Sequence, residues 1–218
     1  MPFGQIKRMR GKKLVGMFKH VLFVCIFNVK RSVVAQHMLH EMLTRESGDY
    51  TKKIKVSSAG FVGQEIADWF KTNAIPYPDP LFNRPPPPLI QEVMKNRGLN
   101  IASHRSRPVD KEILNRSHLI IPLLTILKRD LIVAYPEIEN KVVLPNELID
   151  KETTFLWEDT NAVPNNSRMY DFAHGNKAYV TDVINEIEGF LQKSFGRILQ
   201  YLIGSDEKHI INKPGCGI

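Results

Sequence analysis

The stretch "HVLFVCIFNVKRSVVAQHML", residues 20–39, decides the fold. Its opening, "HVLFVC" (20–25), is apolar after the first residue and partly β-branched, with charge before it and a turn after it. That predicts a short buried strand. From Ser32 the pattern changes. Val34, Ala35, Met38, Leu39, Met42 and Leu43 recur at helical spacing, which predicts an amphipathic helix over 32–46. Ser32 would be its N-cap or first turn, and Gly48 would stop it. "IKVSSAG" (54–60) reads as a second strand ending in a small-residue turn. Strand, loop, helix and strand in this order form a right-handed crossover, the unit of a parallel sheet.

Further along, "PLIQEVMKNRGL" predicts a helix ending at Gly98, and "SHLIIPLL" (117–124) a third buried strand followed by a helix through about 134. "KVVLPNELI" (141–149) predicts a fourth strand. Val180, Val183, Ile184, Ile187, Leu191, Ile198, Leu199 and Leu202 hold one face of a long last helix, locally weakened by Gly189 and Gly196. The expected fold is α/β: a doubly wound four-stranded parallel sheet with helices on both faces and a phosphate-binding loop after the first strand. "IPYPDPLFNRPPPP" can be neither regular helix nor central strand, because proline lacks the N–H and restricts its neighbour. It is read as a loop within a Pro-rich insertion at about 65–88. The domain spans 19–203, between a basic arm (1–18) and a polar, frayed tail (204–218).

The chain has 218 residues and a net charge of +7, with Lys7, Arg8, Arg10, Lys12, Lys13 and Lys19 crowded at the start. Such a surface favours anionic partners. It accompanies no recognisable nucleic-acid motif, so nucleic acid is not the expected partner. Lys19 and His20 interrupt the early apolar run, no small-residue cleavage site follows, and no stretch approaches a membrane span. The expected location is the cytoplasm. The cysteines, Cys25 and Cys216, make neither a disulfide framework nor a zinc spacing. No metal or cofactor is expected.

Cys25 can be a buried core residue or a reactive thiol. Its position favours chemistry. Ligands of doubly wound sheets bind beyond the carboxyl ends of the strands. A helix start there offers unpaired N–H groups to an oxyanion and favours the thiolate form of a cysteine. Arg31 can grip two phosphate oxygens with its planar fork. The loop Ile26, Phe27, Asn28, Val29 and Lys30 is long enough to wrap a tetrahedral oxyanion, and Ser32 can donate its hydroxyl to the thiolate. This assembly suits attack of sulfur on phosphorus.

At this point the sequence resembles the low-molecular-weight protein tyrosine phosphatase family. That family's signature is an apolar strand followed by Cys-x-Gly-Asn-x-Cys-Arg-Ser-Pro, and "VLFVCIFNVKRSVVA" matches it at Cys25, Asn28, Arg31 and Ser32. "VSSAG" is similar to the family's Ser-Ala-Gly turn, with Ser58 at its serine. "RGLNIASHRSRPV" resembles the run that places His104 at the family histidine. "FLWEDTNAV" resembles the segment bearing the family's general acid, here Asp159, with Glu158 and Asp171 as competing carboxylates. The resemblance covers roughly 19–203. It implies Cys25 as nucleophile, Arg31 as phosphate ligand and Asp159 as acid and base. Asn28, Ser32 and Ser58 would hold the loop, with His104 in support.

Four positions depart from the pattern: Phe27 for glycine, Lys30 for the second cysteine, Val33 for proline, and Thr160 for the proline after the acid. A positive φ at Phe27, or a ring crowding the phosphate, would alter the loop. Trp69, Phe70 and Trp157 can wall the pocket or pack in the core.

The expected activity is phosphomonoester hydrolysis, of a phosphotyrosine protein or small aryl phosphate, with inorganic phosphate or another oxyanion as a loop ligand. One competing reading is a catalytically weak phosphate-binding or regulatory protein. Another is an arsenate reductase, which needs further thiols to pass on a disulfide; here there is only Cys216 in the tail.

Overall fold

The computed structural model describes residues 18–46, 52–72, 82–150, 152, 153, 155 and 176–211. Strand β1 (Lys19–Cys25) is followed by α1 (Arg31–Glu46), β2 (Ile54–Gly60) and α2 (Gln64–Thr72). Then come α3 (Pro88–Lys95), α4 (Lys111–Arg116), β3 (Leu119–Pro122), α5 (Thr125–Ala134) and α6 (Lys177–Ile211). The sheet is parallel, in the order β2-β1-β3.

Every residue of β1 is buried, as expected of a central parallel strand covered on both faces. Its side chains alternate between two cores. Val21 and Phe23 pack with α1, α3 and α6 residues such as Leu39, Met94 and Leu191. Leu22 and Val24 face Ile113 and Leu114 of α4 and Leu131 of α5. Helices thus cover both faces. The apolar face read along α6, from Val180 to Leu202, is the buried one. The helix runs on to Ile211, past Gly204 where a frayed tail was expected. Gly189 and Gly196 do not break it.

Two expectations are corrected. The described sheet has three strands, not four. In place of a fourth, Val142 makes one isolated bridge to Ile120, with Val143 N–H donating to Ile120 O (2.9 Å). The reason lies in β3. Leu123 N–H donates inward to Val24 O, so residues 120 and 122 turn their backbone groups outward. Pro122 therefore sits where an N–H would be needed to extend the outer ladder. Flanking 3-10 turns, Pro136–Lys141 and Asn146–Leu148, take the remaining residues.

Part of the segment read as irregular is also helical: α2, residues 64–72, inside the stretch assigned to the insertion. Ile66 and Phe70, four residues apart, bury one face of it. Its first turn is met by Asp130 of α5, whose carboxyl faces the backbone N–H groups of Glu65 and Ile66. Gly63 leaves the room: a Cβ there would collide with the Asp130 side chain.

At the amino end of β1 lies a closed polar cluster. Ser117 Oγ donates to Ile113 O (2.6 Å), so its oxygen accepts from His20 Nδ1–H (3.3 Å). His20 Nε2 is then the acceptor for Ser57 Oγ–H (2.6 Å). His20 N–H donates to His118 Nδ1 (3.2 Å). Burial, reinforced by the positive charges of Arg116, Lys55 and Arg107, lowers the His20 pKa to about 4. Among the described residues no helix is long and apolar enough to cross a membrane.

Candidate active site

β1 delivers Cys25 to its carboxyl end and α1 begins six residues later, at Arg31. The thiol is 3% exposed. Its sulfur lies 2.9 Å from Ser32 Oγ, in the first turn of α1. Between them the chain turns through Asn28, whose φ is 53°. Asparagine tolerates this left-handed conformation better than most residues.

Four contacts hold Asn28. Its Nδ2 donates to Ser32 Oγ (3.0 Å) and Ser58 Oγ (2.7 Å). Its Oδ1 accepts from Arg107 N–H (3.1 Å), and its carbonyl lies 3.0 Å from His104 Nε2. Because a carbonyl can only accept, the His104 proton sits on Nε2. Burial pushes the His104 pKa below the usual histidine value, against the pull of the Asn28 bond. The His37 ring meets His104 edge-on at 6.5 Å.

Phe27, standing at the family glycine, needs no unusual backbone. Asn28 and Asn83 are the non-glycine residues with positive φ among those described. The Phe27 ring packs on Phe70 of α2, centroids 5.8 Å apart. The same cluster takes Ile26, Ile66, Leu124 and Leu127. The departure from the family pattern and the helix missed in the sequence are thus partners. Phe70 belongs to this packing.

The loop backbone rests on the end of β2. A Cβ on Gly60 would stand 2.8 Å from Ile26 O and 3.3 Å from Asn28 N, so the small-residue turn of "SSAG" is required by close approach. Ile26 and Val29 are buried beside it. Gly60 also bridges to Pro108 and accepts from Val109 N–H (2.8 Å). That pairing brings up Arg107, whose Nε donates to Ser58 O (2.9 Å).

The site is cationic. Lys30 is brought to about 8 by burial first, then by Arg31 and Arg84, against the opposing effect of Cys25. Arg31 is pushed down by burial, opposed by Cys25 and Tyr179. A guanidinium stays charged under such a shift. Among the described residues no group of three or more His, Cys, Asp or Glu could hold a metal ion.

The structure therefore brings together Cys25, Asn28, Arg31, Ser32, Ser58 and His104. Asp159, with Glu158, Asp171, Trp157, Thr160 and Cys216, lies outside the described residues, as does the Trp69 side chain. Two participants had no assigned role. Arg107 was visible as the arginine closing the "SHRSR" run. Gln36, which accepts from Ser58 Oγ–H at 2.6 Å, carried no local signal beyond its place one helical turn after Ser32.

A parallel sheet whose central strand ends in Cys25, before a helix opened by Arg31 and Ser32, defines a class. The chain has the low-molecular-weight protein tyrosine phosphatase fold. No family model matches the sequence. A curated relative, "Probable low molecular weight protein-tyrosine-phosphatase EpsP" of Ralstonia solanacearum, is 29% identical over 120 residues, covering 55% of this chain and 66% of that one. The protein tyrosine phosphatase of Entamoeba histolytica, solved with Hepes in its active site, superposes with a TM-score of 0.61 at 19% identity, over 86% of this chain and 99% of the other. Wzb of Vibrio vulnificus, solved with benzylphosphonate, gives 0.57 at 19% identity, over 80% and 95%.

Proposed function

We propose that the protein is a phosphomonoester hydrolase acting on phosphotyrosine proteins or small aryl phosphates. The observation that carries this reading is the Cys25–Ser32 contact of 2.9 Å at the strand-to-helix junction, beside Arg31. The Cys25 thiolate attacks phosphorus, forming an S–P bond as the P–O ester bond breaks. Arg31 and the helix start hold the charge on the non-bridging oxygens. The departing aryl oxygen takes a proton from the Asp159 carboxyl. Asp159, now a carboxylate, accepts a proton from water as that water attacks the phosphocysteine. The S–P bond breaks, releasing inorganic phosphate and restoring the thiolate. Asn28, Ser32, Ser58 and His104 keep the loop in the geometry this requires. The cytoplasm remains the location this reading fits.

Purified protein with an aryl phosphate tests the reading. Turnover is expected, lost in Cys25→Ser and lowered on the order of 100-fold in Asp159→Asn. Absence of hydrolysis between pH 5 and 8, with tight orthovanadate binding, would make this a phosphate-binding protein. Thiol-dependent arsenate reduction in place of hydrolysis would make it a reductase.

A further inference from the structure

Ser58 and Asn28 are joined by a hydrogen bond whose direction is fixed. Asn28 Oδ1 faces the Arg107 N–H, a donor, so the Asn28 amide must present its NH₂ to both serines. Ser58 Oγ therefore accepts from Asn28 and has to send its own proton elsewhere. Ser58 is 1% exposed, so that proton needs an acceptor inside the protein. Gln36 Oε1 supplies it at 2.6 Å. Gln36 follows Ser32 by four residues, so α1 presents both anchors on one face. One touches the Cys25 sulfur and the Asn28 amide. The other locks the serine that completes the Asn28 amide's pair of acceptors.

We propose that Gln36 is a positioning residue of the phosphate loop. Its side-chain oxygen sets the direction of the Ser58 hydroxyl and so keeps Asn28 in its left-handed conformation. Without that oxygen the Ser58 hydroxyl loses the group it donates to. The hydroxyl then competes with the Asn28 NH₂ rather than accepting from it. The displacement passes through Asn28 to Ser32 and to the thiol. The assignment rests on the loop being an oxyanion site, as proposed above.

The test measures orthovanadate affinity, aryl phosphate kinetics and melting in Gln36→Met, Gln36→Glu, Ser58→Ala and the double variant Gln36→Met/Ser58→Ala. Methionine keeps the shape and removes the acceptor, and orthovanadate binding is expected to weaken about tenfold. Glutamate keeps an acceptor and is expected to recover most of that loss. The double variant should match Ser58→Ala within about twofold, because both changes act on one bond. If Gln36→Met does not fold, Gln36→Leu takes its place. Wild-type affinity in Gln36→Met, a lowered melting temperature with intact affinity, no recovery in Gln36→Glu, or a double variant showing the product of the single losses would each overturn the proposal. The hydrolase reading fails separately: wild-type protein that binds orthovanadate but does not turn over aryl phosphate refutes the activity, while the Gln36 comparison is still read from binding.

Discussion

The two ends of β1 carry buried polar clusters built from similar parts, and they differ in what they leave open. At the amino end His20 is bonded through both ring nitrogens to Ser57 and Ser117. At the carboxyl end Cys25 faces Ser32, with Asn28 and Ser58 behind it. The amino-end cluster has regular strand backbone at His20 of β1, opposite Lys55, and at Ser57 of β2, opposite Leu22. The carboxyl-end cluster hangs on a left-handed asparagine between a strand and a helix start. A serine beside a histidine is therefore not a reactive pair by composition alone. Cations flank both ends, Arg116, Lys55 and Arg107 at one and Lys30, Arg31 and Arg84 at the other, so the helix start at Arg31 and the left-handed turn before it make the difference.

The largest expected effect separates the two ends directly. Asn28→Ala removes three side-chain bonds, and its kcat/KM for an aryl phosphate is expected to fall on the order of 100-fold. Ser57→Ala is expected to cost about 1–2 kcal/mol in urea unfolding, with kcat/KM within about twofold of wild type. Equal losses of activity at both ends would erase the distinction.

The amino end should dominate acid sensitivity. His20 is held at about 4 in the folded protein against 6.5 when free, so between these values the unfolded chain binds the extra proton. Stability from this group is complete above about pH 6.5 and is lost as pH falls through about 4. The loss is on the order of 3 kcal/mol. Urea midpoints at pH 7, 5.5 and 4.5 should converge between wild type and His20→Asn as the pH drops. A constant gap would assign the acid loss to other groups.

The carboxyl end should respond to base. Lys30, at about 8, keeps its charge at neutral pH and sheds it above. Orthovanadate binding is expected to weaken several-fold between pH 7 and 9, more steeply than in Lys30→Met. Parallel profiles would show that the Lys30 charge does not reach the anion. The smallest effect belongs to neither end. A Cβ at Gly196, on exposed α6 surface, would meet nothing within 4 Å. Gly196→Ala is expected to stabilise by about 0.5–1 kcal/mol, read as a rise in melting temperature with activity unchanged.

What could be read from the sequence was what local pattern encodes. Strand 54–60 is found as read, and the helix expected over 32–46 starts one residue earlier. Cys25, Asn28, Arg31, Ser32, Ser58 and His104 come together because several short motifs occur in one order. α2 was missed although Ile66 and Phe70 carry its spacing, since the prolines that follow coloured the whole segment. Its cap, Asp130, comes from a distant helix and leaves no trace in the neighbouring residues. Gln36 was hidden for a similar reason: a polar residue on a helix looks the same whether it faces solvent or a buried serine. That the described sheet stops at three strands turns on the hydrogen-bonding side of Pro122, which becomes visible only once β3 is in register with β1.

That proline has a consequence for the molecule among other molecules. A sheet margin with a free row of donors and acceptors is a template for a foreign chain. The outer margin of β3 commits the Ile120 carbonyl to Val143 and has no donor at residue 122. A stray β-segment arriving there would find too few bonds to hold it. The same residue that limits the described sheet at β3 also makes that margin a poor template for a foreign strand.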